Sequence, residues 1–326
     1  MSNDFKPSRS SKVFIAGAAG MVGSSILRRL TADGYENILT PKSTTLDLIV
    51  QKEVEEYFDR QKPEAVIIAA AKVGGIGANS SLRAQFIYEN LMIEANTIHA
   101  AYRHGVRKLI SLGSSCIYPR MALQPMKEEE LLSGPLETTN EPYAVAKIAG
   151  IKLCESYYRQ YGCNFFSVMP TNLFGPNDNF DLESSHVIPA LIRKFHEAKI
   201  KGADSVLLWG SGKPRREFMY VDDLARGVCF LMENHDANDL FEKGISHINI
   251  GTGEDLKIGE LASKIAKLVG FTGKVAYDSA KPDGTPRKLL DVSRMKALGW
   301  APLTSLDEGL QKTYDWFLGA TTARGV

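Results

Sequence analysis

The sequence predicts an α/β protein: a doubly wound parallel sheet of the Rossmann type, followed by a smaller C-terminal α/β lobe. Three observations carry this. Short apolar runs alternate with helical patterns from residue 12 to 169. A glycine-rich turn, Gly17-Ala18-Ala19-Gly20-Met21-Val22-Gly23, follows the first of those runs, and the alternation breaks after Pro170 into a loop of Gly, Pro, Asn and Asp.

Taken in order, residues 12–16 read as a buried strand, and residues 21–33 as a helix with Val22, Ile26 and Leu30 on one face. Residues 37–40 form a second short strand and residues 54–60 a second helix. Residues 65–70 are rich in Val and Ile, too short for a helix and bracketed by Pro63 and Gly74, which marks a strand covered on both faces. A long helical stretch, 82–104, leads to the strand 108–112. A loop with Pro119, Pro125 and Pro135 precedes the helix 143–161, closed by Gly162, and the strand 164–169. Beyond Pro170 come a helix at 187–199, a strand at 206–209, and smaller helical and strand pieces. Residues 1–169 are therefore expected to form the dinucleotide-binding half. Residues 170–326 are expected to be mainly a substrate-binding lobe, with some segments returning to the core sheet, and the tail 319–326 is expected to fray.

A chain of 326 residues corresponds to about two domains of ~150 residues, and with 44% hydrophobic residues it buries a sizeable core. Lys and Arg number 39 against 38 Asp and Glu, so no global field recruits nucleic acid or an anionic membrane. Any anionic ligand must be met by local positive charge. The longest apolar stretches, 65–71 and 13–19, fall short of the ~20 residues that span a bilayer. The polar start, residues 1–11, shows no secretory or transit signal, and a cytoplasmic location is expected. Cys116, Cys154, Cys163 and Cys229 form no C-x-x-C pair, so they are expected to be reduced, and no metal site is expected.

The glycines of the 17–23 turn permit a tight bend and close backbone approach, so that a pyrophosphate can rest on the free N–H groups opening the first helix. Folds specific for NAD place an acid near the end of the second strand. Residues 38–45 contain no Asp or Glu but do contain Lys42, which favours a 2′-phosphate and hence NADPH. Lys42 is either that partner or a solvated loop lysine; Asp47 either touches adenine or caps a turn.

Tyr143-Ala144-Val145-Ala146-Lys147 sets a phenol and an ammonium one turn apart on one helix face. The ammonium can lower the phenol pKa and hold a nicotinamide ribose, which makes Tyr143 a proton donor to a developing alkoxide. Upstream, Gly113-Ser114-Ser115-Cys116 ends a strand of the parallel sheet, and the Ser114 hydroxyl is placed to polarise a carbonyl together with Tyr143.

In this order and spacing the glycine turn, Ser114, Tyr143 and Lys147 resemble the extended short-chain dehydrogenases/reductases. Four longer segments narrow the resemblance to members that make GDP-L-fucose. They are Ala70-Ala71-Lys72-Val73-Gly74-Gly75-Ile76, Gly113-Ser114-Ser115-Cys116-Ile117-Tyr118-Pro119, Pro170-Thr171-Asn172-Leu173-Phe174-Gly175-Pro176 and Lys281-Pro282-Asp283-Gly284-Thr285-Pro286-Arg287-Lys288. The resemblance implies an NADPH-dependent enzyme that takes GDP-4-keto-6-deoxy-D-mannose to GDP-L-fucose by epimerisation at C3 and C5 and reduction at C4. It implies Cys116 as the base and His186 as its acid partner. A 4-keto group acidifies the hydrogens on C3 and C5, and Ser114 with Tyr143 would hold the enolate oxygen. It further implies that Leu48, Ala70, Ala71, Pro170, Asn172, Leu173 and His186 line the cofactor, that Lys194, Trp209, Arg216, Asp283 and Lys288 hold the GDP-sugar, and that the enzyme is a homodimer.

The chain departs from that pattern in places. Ala19, and a position near Ser43, stand where many members carry a basic residue, which weakens the grip on a 2′-phosphate. Lys194 stands where Arg is common, keeping the charge but losing the forked geometry. The other readings are a 4-reductase or 4-epimerase for another nucleotide sugar, and a dinucleotide-sensing regulator. A 4,6-dehydratase needs an acidic pair after its Ser or Thr, where this chain has Ser115-Cys116; a regulator would show a broken Ser, Tyr or Lys, and all three are intact.

Overall fold

The computed structural model describes residues 5–280 and 283–320. Lys281 and Pro282 of the fourth segment, and residues 321–326 of the tail, lie outside them. The first half runs β1 (Lys12–Ala16), α1 (Met21–Ala32), β2 (Asn37–Leu39), α2 (Gln51–Gln61), β3 (Ala65–Ile68), α3 (Ile76–Ser81), α4 (Arg83–Arg103), β4 (Lys108–Leu112), α5 (Glu141–Tyr161) and β5 (Phe165–Pro170). The second half continues with β6 (Asn172–Phe174), α6 (Val187–Ile200), β7 (Ser205–Trp209), β8 (Arg215–Tyr220), α7 (Val221–Asn234) and α8 (Ala237–Phe241). It then adds β9 (Ile248–Ile250), β10 (Asp255–Lys257), α9 (Ile258–Val269), β11 (Lys274–Asp278), β12 (Arg287–Lys288), α10 (Ser293–Ala297) and α11 (Leu306–Gly319).

Six parallel strands in the order β2-β1-β3-β4-β5-β9 form the central sheet, which is doubly wound. Side chains alternate along each strand. Val13 and Ile15 point into one apolar layer with Ile26 and Leu30 of α1 and Val228 and Leu231 of α7, while Phe14 and Ala16 point into the opposite layer with Val54 and Phe58 of α2 and Ile98 of α4. Burial on both faces is why β3 is uniformly apolar. The long helix expected at 82–104 is α4, and Leu82 separates it from the short α3 that precedes it. Segments from the second half join this sheet: β9 pairs with β5, and α7 packs on α1.

The lobe has its own core, in which Phe174, Phe195 and Phe218 pack with Ile192 of α6, Leu261 and Ile265 of α9, and Leu310 of α11. Its sheet centres on β8, paired with β6, β10 and β12, and β7 pairs with β11. Among the described residues no helix is long and apolar enough to cross a membrane, and no group of His, Cys, Asp and Glu is placed to hold a metal ion.

A buried polar network joins the turn after β4 to β9. The Tyr118 hydroxyl meets Asn249 Oδ1 at 2.5 Å and His247 Nε2 at 2.7 Å, and Ser246 Oγ meets His247 Nδ1 at 2.9 Å. With the phenol donating to Asn249, the imidazole donates from Nε2 and accepts at Nδ1, which is the neutral form. Burial pushes the His247 pKa down to about 3. The unfolded chain therefore takes up a proton near pH 6.5 that the native state refuses, so this stability is full above pH 6.5 and is lost as pH falls towards 3. His247→Gln is expected to remove up to about 1.4 kcal/mol per pH unit of that slope between pH 6 and 4. Urea unfolding of both proteins at pH 7, 6, 5 and 4 checks this; parallel profiles would refute it.

Candidate active site

Between β1 and β3 the winding of the sheet reverses, which opens a crevice at their C-terminal ends. Gly17 has φ +82°, and a Cβ there would lie 2.7 Å from Ala70 Cα; a Cβ on Gly23 would lie 2.1 Å from the Gly17 carbonyl oxygen. The turn is thus pressed onto the end of β3, and α1 onto the turn. Gly20, the N-cap of α1, differs: a Cβ there would meet only the Gly17 oxygen, at 3.5 Å. Its open side, the exposed Ala19 and the first N–H groups at Met21 and Val22 fit an approaching pyrophosphate. Ala70 and Ala71 are half-buried at the opposite lip.

At the far end of the crevice Lys42 is exposed and forms no ion pair among the described residues. Asp47 Oδ1 accepts from the Ile49 amide at 2.9 Å, as a turn cap does. Leu48 is half-buried, its carbonyl accepting from Asn96 Nδ2 at 2.9 Å.

The reacting end is built on β4 and α5. Ser114 caps a short 3-10 turn, Ser115–Ile117, and its Oγ accepts from the Cys116 amide at 3.4 Å. α5 starts with Pro142 in its first turn, where a missing N–H leaves no hydrogen bond broken. Tyr143 packs edge-on against Phe86 of α4, with ring centroids 6.4 Å apart. Lys147 is buried and donates to Glu94 Oε1 at 2.7 Å and to the Leu112 carbonyl at 2.9 Å.

Burial raises the Tyr143 phenol well above its ordinary value, and the nearby Cys116 and Glu94 add to this. The sequence expectation that Lys147 lowers it is corrected here, because the ammonium is already paired with Glu94. Burial likewise pushes the Cys116 thiol up, opposed by the charges of Lys288 and Lys147 and the hydrogen bond with Ser114. Lys288, on β12 beside Arg216 of β8, therefore acts electrostatically on the Cys116 sulfur.

His186 is the N-cap of α6 but makes no capping hydrogen bond with its side chain. Its surface is exposed within the cleft, while the protein around it removes part of the hydration of the imidazolium and lowers its pKa. It makes no hydrogen bond with the Ser114–Cys116–Tyr143 cluster. Farther along α6 the Lys194 ammonium lies 5.8 Å from the centroid of the Trp209 ring, an indole 72% exposed. Arg216 donates to the Arg215 carbonyl at 2.8 Å. Asp283 accepts from Ser211 N at 2.7 Å and Ser211 Oγ at 2.6 Å, so both its oxygens staple its loop to the one after β7. Pro170 ends β5, Asn172 donates from Nδ2 to the Glu217 carbonyl at 2.8 Å, and Leu173 is half-buried beside it.

One structural partner escaped the sequence reading. Glu94 is an acid on the buried face of α4, and that misplaced charge is its only signal. Gly75 donates its amide to the Ser184 carbonyl at 2.8 Å, so the 70–76 segment buttresses the chain just ahead of His186.

This geometry, a dinucleotide crevice beside a Ser, Tyr and Lys set at the C-terminal ends of the strands, defines an enzyme class. The chain belongs to the NAD dependent epimerase/dehydratase family, whose model matches residues 13–251. It is 55% identical to GDP-L-fucose synthase of Escherichia coli K12, over 94% of this chain and 96% of that one. It is 53% identical to GDP-L-fucose synthase 1 of Arabidopsis thaliana, over 95% and 94%. The fold matches a GDP-L-fucose synthetase from Naegleria fowleri solved bound to NADP, with a TM-score of 0.90, 29% identity, and coverage of 100% of this chain and 98% of that one.

The Gly23 contact gives a direct test of the crevice. Gly23→Ala forces α1 away from the turn, with an expected loss of about 1–3 kcal/mol from overpacking. Urea unfolding measures that loss, and an NADPH fluorescence titration is expected to show binding weakened at least tenfold; wild-type values in both would refute the packing argument.

Proposed function

We propose that the protein converts GDP-4-keto-6-deoxy-D-mannose into GDP-L-fucose, inverting C3 and C5 and then reducing the 4-keto group with NADPH as cofactor. The observation that carries this is the Cys116 thiol, lodged between Ser114, Lys288 and the Tyr143–Lys147 pair. A plain reductase has no use for a proton-transfer group beside its carbonyl site. The relatives named for this product support the same reading.

In this mechanism the hydroxyls of Ser114 and Tyr143 hold the C4 oxygen, which stabilises the enolate formed when C3 or C5 loses its proton. Cys116 is the base and His186 the acid on the opposite ring face. In the ligand-free site the thiol is neutral and the imidazole has a lowered pKa, so the pair carries one proton, on sulfur. Passing it to His186 gives thiolate and imidazolium with no change in proton count. NADPH, when bound, supplies the hydride to C4. Tyr143, kept protonated by its raised pKa, then gives its proton to the alkoxide. Residues 17–23, Lys42, Asp47, Leu48, Ala70, Ala71, Pro170, Asn172 and Leu173 hold the cofactor; Lys194, Trp209, Arg216, Asp283 and Lys288 hold the GDP-sugar. A cytoplasmic setting suits the four free cysteines, since an oxidised Cys116 could not carry a proton.

A second reading, reduction at C4 without epimerisation, draws on the neutral state of the buried thiol. Incubation with GDP-4-keto-6-deoxy-D-mannose in heavy water, with NADPH or NADH, separates the two. GDP-L-fucose carrying deuterium at C3 and C5 is expected from NADPH; product that keeps the D-manno configuration and its protons would favour the simple reductase. Tyr143→Phe is expected to slow reduction by about 10²–10⁴-fold while nucleotide binding persists. Cys116→Ser is expected to suppress deuterium uptake, and unchanged uptake would remove Cys116 from its role.

The protein pairs with a second copy through α4 and α5, whose outer surfaces expose Tyr88, Val145 and Tyr161. Sedimentation is expected to give twice the 35.9 kDa chain mass, and Tyr88→Glu with Val145→Glu to shift it to the single mass. A single-mass species for the unaltered protein would refute the pairing.

A further inference from the structure

Glu94 lies on the buried face of α4 among Phe86, Ile93 and Ala101 and is 1% exposed. A carboxylate there is tolerated only when its charge and lone pairs are met. They are: Oε1 accepts from Lys147 Nζ at 2.7 Å, and Oε2 from Ser111 Oγ at 2.8 Å. The facing helix is shaped around the group, because a Cβ on Gly150 of α5 would come within 2.9 Å of Oε2.

The arrangement limits what Lys147 can do. An ammonium has three hydrogens. One goes to Glu94, one to the Leu112 carbonyl, and one remains for a ligand. We propose that Glu94 is the positioning residue of the reductive step: it anchors the Lys147 ammonium so that its third hydrogen serves the cofactor ribose, and it balances that charge beside Tyr143.

The balance matters because Tyr143 has to remain a phenol until it donates. Cys116 faces the phenol from the turn after β4, and Glu94 from α4; Phe86 of α4 packs on the ring and is uncharged. Lys147 follows one turn along α5. Lys288 of β12 acts on Cys116 and is itself acted on by Arg216 of β8 and by Glu137, Asp283 acts on Arg216, and His186 caps α6. Without the Glu94 charge, the ammonium acts on the phenol unopposed, the phenolate forms more readily, and the proton donor disappears at a lower pH.

Glu94→Gln tests this, since the amide fits the same space and still offers one acceptor to Lys147 and one donor to Ser111. The kinetic half rests on the reaction proposed above; the nucleotide half does not. The expected result is a roughly tenfold fall in kcat for reduction, with its alkaline limb moved down by about one pH unit, and an NADPH Kd raised about three- to tenfold. Deuterium exchange at C3 and C5, measured below the alkaline limb where Tyr143 keeps its proton in both proteins, is expected to stay within about twofold of the parent, which a misfolded variant would not allow. Glu94→Asp restores the charge and is expected to return the alkaline limb towards its original position. An unmoved alkaline limb with unchanged NADPH affinity, or an equal loss of exchange and reduction, overturns the proposal. If the unaltered protein does not turn over the keto-sugar, the reaction assigned above fails instead, and the NADPH Kd alone decides the role of Glu94.

Discussion

A single buried carboxylate, Glu217, ties the central strand of the C-terminal lobe to the segments that leave the core strands β5 and β9. It is fully buried and forms no ion pair among the described residues. Oε1 accepts from the amides of Thr252 and Gly253 at 2.6 and 2.8 Å, and Oε2 from the amide of Leu290 at 2.9 Å. Its backbone carbonyl accepts from Thr171 and Asn172. Backbone donors thus replace water around an anion that burial would otherwise expel, although burial still leaves its pKa raised. Gly251 has to lack a side chain, because a Cβ there would lie 2.3 Å from Oε1. Through these bonds the segment after β5, the strand β8, the turn after β9 and the segment just after β12 acquire one fixed relation. Lys288 sits at one of those pieces, beside Arg216 on β8, so the approach of Lys288 to Cys116 follows from the placement of Glu217.

Burial also governs the protonation of the site. Tyr143 and Cys116 are pushed up and His186 down, each towards its uncharged form, because the low-dielectric setting disfavours every lone charge. Lys147 is paired there with Glu94 at 2.7 Å. Lys288 is the exception, and its own pKa is lowered by burial and by Arg216. A cleft of neutral acids and bases with cationic groups at its edge is ready to accept an anion, whether a pyrophosphate or a charge developing on substrate oxygen.

Much of the first half is legible in the sequence because strands covered on both faces are continuous apolar runs, as in Ala65–Ile68. The glycine turn and the Tyr143–Lys147 spacing are legible because each is local. β9 and β12 are not: one has three residues and the other is Arg287–Lys288, and each is a strand only through its partner β5 or β8. α9 carries a readable pattern at Leu261, Ala262, Ile265 and Val269, yet beyond residue 209 the sequence reading names no element. Glu94 and Lys147 meet across 53 positions, and Asp283 and Ser211 across 72, distances at which spacing says nothing. That is why the Lys147 ammonium is expected, from its own helix alone, to act on Tyr143, and why the structure finds it already engaged.

The raised phenol pKa bears on how one site would run the two proposed reactions in order. Both put negative charge on the same C4 oxygen, as an enolate during epimerisation and as an alkoxide during reduction. An enolate is the weaker base by far. A phenol of ordinary acidity next to unopposed ammonium charge would tend to release its proton early, leaving a phenolate to repel the enolate. With burial and Glu94 holding the proton on Tyr143, the same hydroxyl lends the enolate a hydrogen bond and surrenders the proton only to the stronger base. Epimerisation then leaves Tyr143 loaded for reduction, while Cys116 and His186 handle protons on carbon. Two functions share one carbonyl because the environment separates their proton donors by acidity rather than by distance.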